Sequence, residues 1–170
     1  MGIRYYAYAF DGDLTEQVLS DPMTFVSIDP LADAWGLDPG VGTSCTTFEQ
    51  LIPERDMLYL DKAWRHLQVL TAPLGAAMAA RPAFRMFEGN VTMNGEGWDP
   101  WVRALTPSEV LAIARDLDDI SDAEVRLRLP DSPNVDRDLD VEYAAGYLRR
   151  ARAFATNLAD EGRGMVYLIG

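Results

Sequence analysis

The side chains that most enzymes use for chemistry are scarce in this chain. Its 170 residues include one cysteine (Cys45), one histidine (His66) and one lysine (Lys62). A single cysteine forms no internal disulfide, so the sequence fits a reducing compartment. Structural zinc takes about four Cys or His ligands, and the chain supplies two in all. A Ser-His-Asp or Cys-His centre has only His66 as its imidazole. The stretch "GTSCT" around Ser44 and Cys45 has the look of a nucleophile elbow, but the closing glycine is missing. There is no GxGxxG, and "DPGVGTS" lacks the lysine of a phosphate loop. No run approaches the ~20 apolar residues of a membrane span. The start, "MGIRYYAYAF", has neither the basic opening nor the apolar run of a secretory leader. A cytoplasmic protein that avoids membranes is the expectation.

Positive charge is also in short supply. Lysine and arginine total 15 against 27 acids, a net charge of −12 with a pI near 4.4. Such a surface repels phosphate backbones, so no nucleic-acid binding is expected. Arg149, Arg150 and Arg152 form the densest basic group and read as the wet face of a helix. The acids form no metal loop. "DRDLDVE" spaces Asp136, Asp138, Asp140 and Glu142 like the start of an EF-hand, yet Val141 stands where glycine belongs and Tyr147 where glutamate belongs. Carboxylates at that point also suit the start of a helix, where unpaired amides face outward. "DGD" at 11–13 fails the same test, with Glu16 at the glycine position. No metal and no cofactor are expected.

What the chain does have is material for a core: 48% hydrophobic and 10% aromatic residues, enough for one domain of 170 residues. "IRYYAYAF" (3–10) reads as a strand, and Asp11 or Asp13 as the cap of a short helix ending at Ser20. Residues 29–55, broken by prolines and glycines, read as a long connection with helical pieces at "LADAW" and "TFEQLI". Leu60, Ala63, Trp64, Leu67 and Leu70 recur at helical spacing, predicting one amphipathic helix over 59–71, with "PLGAAMAA" extending the helical region. "FRMFEGNVTMNGEGWDPWVRALT" (84–106) reads as two short strands around the turn "NGEG", with Pro100 placing the second at an edge. Thr106, Pro107 and Glu109 form a capping box for the clearest helix, and "SDAE" repeats the pattern at 121–124. A proline- and aspartate-rich loop (130–137) leads into a long helix from about Val141 to Asp160, with Ala144, Leu148, Ala151, Ala155 and Leu158 on one face and Gly162 as its cap. "MVYLIG" closes as an apolar strand suited to a sheet interior. The fold class is α/β (α+β): a small mixed sheet holding the first and last strands, with helices packed on it.

With "MGIRYYAYAF", "LTEQVLSDP", "LDKAWRHLQVLT" and "RALTPSEVLAIARDLDDIS" in this order, the chain resembles the YfbM-like family, a bacterial domain of unknown function (1877). The resemblance spans nearly the whole chain. It implies a layered α/β arrangement in a single cytoplasmic domain and brings no activity, cofactor or catalytic residue. Family members commonly read W-H-x-x-H after D-K-x-W. Here Asp61, Lys62 and Trp64 match, but Arg65 and Gln68 replace the histidines and His66 falls off the pattern. Any role needing that pair is excluded, and His66 reads as a partly exposed passenger.

Two groups of residues remain as binding candidates. In "GWDPWVR", Trp98 and Trp101 flank a turn beside Asp99 and Arg103, a composition typical of interaction hot spots. On the 59–71 helix, Asp61, Arg65 and Gln68 would share one flank beside Trp64. Roofing the core is the structural alternative for the indoles, and a solvated flank for the charges. These features favour a non-enzymatic domain that binds another protein, in the way immunity or antitoxin proteins mask basic partners. The alternative is a small-ligand protein or hydrolase-type enzyme with an Asp/Glu/Arg site in a Trp-lined cleft. The identity of partner or ligand is left open.

Overall fold

The sheet is assembled around the two strands farthest apart in sequence. A computed structural model describes residues 2–37, 47–131 and 136–170. Strand β1 (Tyr5–Phe10) is followed by the short helices α1 (Thr15–Ser20) and α2 (Pro30–Trp35), then β2 (Met57–Asp61) and α3 (Trp64–Thr71). A hairpin of β3 (Thr92–Asn94) and β4 (Gly97–Asp99) leads into β5 (Trp101–Leu105). Helices α4 (Pro107–Asp118), α5 (Asp122–Arg128) and α6 (Arg137–Glu161) precede the closing strand β6 (Gly164–Ile169). The main sheet runs β2-β1-β6-β5. The first and last strands are its inner neighbours, as their apolar sequences require, from Tyr5 opposite Ile169 to Phe10 opposite Gly164. Among the described residues every strand pairing is antiparallel, and helices pack on the sheet as expected.

Residue alternation along the strands divides the core in two. Tyr5, Ala7, Leu58, Leu60, Met165 and Tyr167 face the layer made by α3 to α6. Tyr6, Tyr8, Phe10, Met57, Tyr59 and Val166 face a thinner layer that includes α1 and α2. Local signals set the helix ends. Thr106 accepts from the Glu109 amide and Glu109 reaches back to the Thr106 amide, completing the capping box of α4. Ser121 caps α5 through the Glu124 amide. Helix α6 presents Ala144, Leu148, Ala151, Ala155 and Leu158 to the core and ends at Gly162, whose φ of 66° is left-handed. It begins earlier than expected, because Asp136 accepts from the amides of Asp138 and Leu139. Those acids then disperse: Asp138 pairs with Arg126, Asp140 with His66 and Glu142 with Arg149.

Several expectations fail. Residues 59–71 are not one helix but the end of β2, a turn and α3. "TFEQLI" over the described 47–52 is not helical, nor is "PLGAAMAA". Neither Asp11 nor Asp13 caps by its side chain; Asp11 instead meets Arg163. Residues 82–86 form a 3-10 turn, and the strands around "NGEG" are shorter than predicted. Pro100 does precede the edge strand β5. Arg152 leaves the wet face of its helix to donate to the carbonyls of Leu117 and Ile120, where α4 ends. Ser44 and Cys45 lie outside the described residues. Among the described residues no helix is long and apolar enough to cross a membrane.

Candidate functional site

Asp61 ends β2 in a left-handed conformation, with φ of 47°. The register slips beside it: Tyr5 faces Asp61 while Tyr6 faces Tyr59, leaving Leu60 as the extra residue of a bulge. Bulges re-aim side chains, and Asp tolerates the left-handed region better than most residues. The Asp61 carboxylate thereby meets Arg4 Nε and the Tyr59 hydroxyl, both at 3.0 Å, and the Tyr143 hydroxyl at 3.5 Å. The Tyr59 hydroxyl in turn accepts from Trp35 Nε1 at 3.2 Å. Burial pushes the phenols of Tyr6 and Tyr143 up to about 12, and that of Tyr59 further. All stay protonated at neutral pH. Asp61 therefore pairs with Arg4 across the sheet and not with Arg65 along a helix, contrary to expectation.

Helix α3 carries the second feature. Its inner face buries Trp64, Leu67 and Leu70. Gln68 donates to the carbonyls of Phe87 and Gly89, so it is structural and not part of a polar rim. The outer face is open. Arg65 and Val69, one turn apart, link three adjoining depressions of about 370, 180 and 730 Å³. The first is bounded by Lys62, Arg65, Met93 and Trp98. The second adds His66, Leu129 and Pro130. The third is lined by Leu74 and Leu127. Met93 is opposite Trp98 across the β3–β4 hairpin, and they are 71% and 37% exposed. Leu74 and Leu127 at the other end are 71% and 82% exposed. Among the described residues, neither Lys62 nor Arg65 pairs with a carboxylate; Arg65 lies over the Trp64 ring at 5.3 Å.

The structure thus brings together Arg65 and Trp98 of the sequence candidates and separates the others. Asp99 accepts from Asn94 inside the hairpin. Trp101 is half-buried and packs on Gly89, where a Cβ would stand 2.4 Å from the indole. Arg103 pairs with Glu88 and stacks on Trp101 at 5.5 Å. These three are architecture. His66 is no passenger: its Nε2 meets Asp140 Oδ1 at 3.0 Å and its ring packs edge-on against Tyr143, joining α3 to α6. Lys62, Val69, Leu74 and Leu127 also line the strip and were not among the sequence candidates. An exposed leucine carries no sequence signal until its neighbours are known. Among the described residues no three His, Cys, Asp or Glu side chains gather where they could hold a metal ion.

Residues 4–168 match a family described as a domain of unknown function (DUF1877). The chain belongs to this family. Among solved structures it matches a protein of unknown function, YfbM from Escherichia coli, at 16% identity and a TM-score of 0.55, over 99% of this chain and 100% of that one. That likeness shows a shared fold. No curated protein matches.

Proposed function

We propose that this DUF1877 member is a non-enzymatic binding domain whose partner is an acidic, amphipathic segment of another protein lying along α3. The observation that carries the reading is the strip from Trp98 and Met93 to Leu74 and Leu127, with exposed apolar side chains at both ends and the cations Lys62 and Arg65 beside Trp98 and Met93. Contiguous apolar surface of this kind marks interaction sites. Two cations without carboxylate partners, in a chain of net charge −12, give the strip its preference. Charge complementarity selects and orients partners even where it adds little affinity. An immunity- or antitoxin-type role in the cytoplasm is one form of this activity, but the surface described here suits an acidic partner and not a basic one.

The test uses two synthetic amphipathic helical peptides with the same leucines, one carrying glutamates and one lysines. Binding is followed by Trp fluorescence and by backbone NMR shifts. The acidic peptide should bind and shift the α3 and hairpin resonances. A Lys62→Glu/Arg65→Glu double variant should weaken it about tenfold or more. Equal binding of both peptides, or shifts elsewhere on the molecule, would overturn the reading.

A further inference from the structure

A glycine with no visible task in the fold marks a second binding site. Gly146 lies in the middle of α6, where glycine is less favourable than alanine by about 1 kcal/mol. Among the described residues nothing excludes a side chain there: the nearest atom to a Cβ would be the end of Arg149, at 3.8 Å. What borders Gly146 is a cavity of about 320 Å³ between α6 and β2. It adjoins a second of about 590 Å³, with Glu54 and Arg150 shared between them. The second is bounded by Trp35, Tyr59 and Tyr147. Arg150, shared by the two cavities, and Arg149, which lines the first, make only long ion pairs. Arg150 stands 3.8 Å from Glu54 and Arg149 3.6 Å from Glu142, beyond hydrogen-bond distance, and both of those carboxylates are well exposed. Arg150 also lies over the Tyr147 ring at 5.6 Å.

We infer that this groove binds a planar aromatic molecule bearing an anionic group, with the ring among Trp35, Tyr59 and Tyr147 and the phosphate or carboxylate on Arg149 and Arg150. Guanidinium forks match both anions in geometry, and their bonds to charged acceptors are the strong ones. The Glu54 carboxylate shows where an anion sits against Arg150, and it is free to move aside. The missing side chain at Gly146 leaves room in the first cavity, which Arg149 and Arg150 also line, for the ligand's anionic end to lie against the helix backbone. The ring end offers aromatic contact alongside Glu49 and Gln50, and the cations converge at Arg149 and Arg150, a mix of aromatic and polar lining found in small-molecule sites. This groove shares no lining residue with the α3 strip, so the two proposals stand or fall separately.

The test is calorimetric titration of the whole chain with adenosine 5′-phosphate and with indole-3-acetate, against adenosine, indole and inorganic phosphate. At least one anionic aromatic should bind, tenfold or more tighter than its neutral counterpart and than phosphate alone; which one binds distinguishes phosphate from carboxylate. Arg150→Gln should weaken it by about tenfold or more, on the scale of a lost charge-assisted bond. Gly146→Leu should abolish binding while the circular dichroism spectrum is unchanged. If Gly146→Leu fails to fold, Arg149→Gln/Arg150→Gln, whose side chains are surface-exposed, carries the test. Binding that is indifferent to these substitutions, equal affinity for neutral and anionic rings, or no binding of either anionic probe at millimolar concentration would overturn the proposal.

Discussion

The two faces of the sheet are built on different terms. Toward α3 to α6 the core is large and nearly all apolar, and its two tyrosines bond to the backbone: Tyr5 donates to the Met86 carbonyl, and Tyr167 reaches those of Arg85 and Glu88. Toward α1 and α2 the layer is thin, and its tyrosines bond to side chains: Tyr8 donates to Asp33, and Tyr59 to Asp61. One face invests in packing and anchors its hydroxyls on fixed carbonyls. The other carries a polar network open to solvent at Asp61, whose side chain is 30% exposed. Stability should therefore concentrate on the first face, and adaptability on the second, where the proposed small-molecule groove opens beside Tyr59.

Substitutions can break this contrast. Trp64→Ala removes a side chain that is 1% exposed beneath α3 and should cost about 3–5 kcal/mol in urea unfolding. A loss below about 1 kcal/mol would mean that the helical layer is not the main source of stability. A sharper measure is alkaline titration of Tyr167. Burial pushes its phenol up to about 12, against an ordinary value near 10. The folded state then holds a proton that the unfolded state has lost, so stability is level below pH 10 and falls between pH 10 and 12. The slope owed to one such group is about 1.4 kcal/mol per pH unit. Tyr167→Phe should flatten the fall measured by denaturant midpoints; an unchanged slope would assign it to other phenols.

On the thinner face, Tyr59→Phe removes the hydroxyl that accepts from Trp35 Nε1 and donates to Asp61. The expected cost is about 1–2 kcal/mol, less than for Trp64, because these groups can turn to water. A cost equal to that of Trp64→Ala would abolish the distinction between the faces. The smallest effect is expected at His66, whose bond to Asp140 joins two helices near the surface. His66→Ala should lower stability by about 0.5–1 kcal/mol, and Asp140→Asn should change little further in that background. Fully additive losses would show that the two side chains are not coupled.

The sequence announced the thick face better than the thin one. The capping box at Thr106, the alanine-rich stripe of α6 and the apolar β6 are each local, and local chemistry determined them. Strand β2 was hidden because Leu60, Trp64 and Leu67 imitate a single helical stripe. In the structure they belong to a strand and a helix that both face the core, and no glycine or proline separates the two. Asp61 supplies the left-handed stop that glycine usually gives, so the break left no mark. Of the six site candidates, only Arg65 and Trp98 line the α3 strip. Trp101 looked identical to Trp98 in sequence, but the space above Gly89 claimed it. Arg149 and Arg150 read as a wet helix face because nothing in the sequence shows that β2 runs beside them. Gly146 was the one legible clue to that groove, a helix breaker inside a helix.

The place of β6 has a consequence for how the chain is made. Strand β5 pairs with β6 alone, and β1 has only β2 beside it until β6 arrives. During synthesis, residues 1–163 emerge before the strand that joins the two halves of the sheet. Until then β5 has no ladder and the aromatic face of β1 has a bare edge, the kind of surface that chains pair through by mistake. A chain stopped before residue 164 would therefore be an aggregation-prone intermediate, and β6 acts as a timing device that lets this sheet close only after all its other strands have been made.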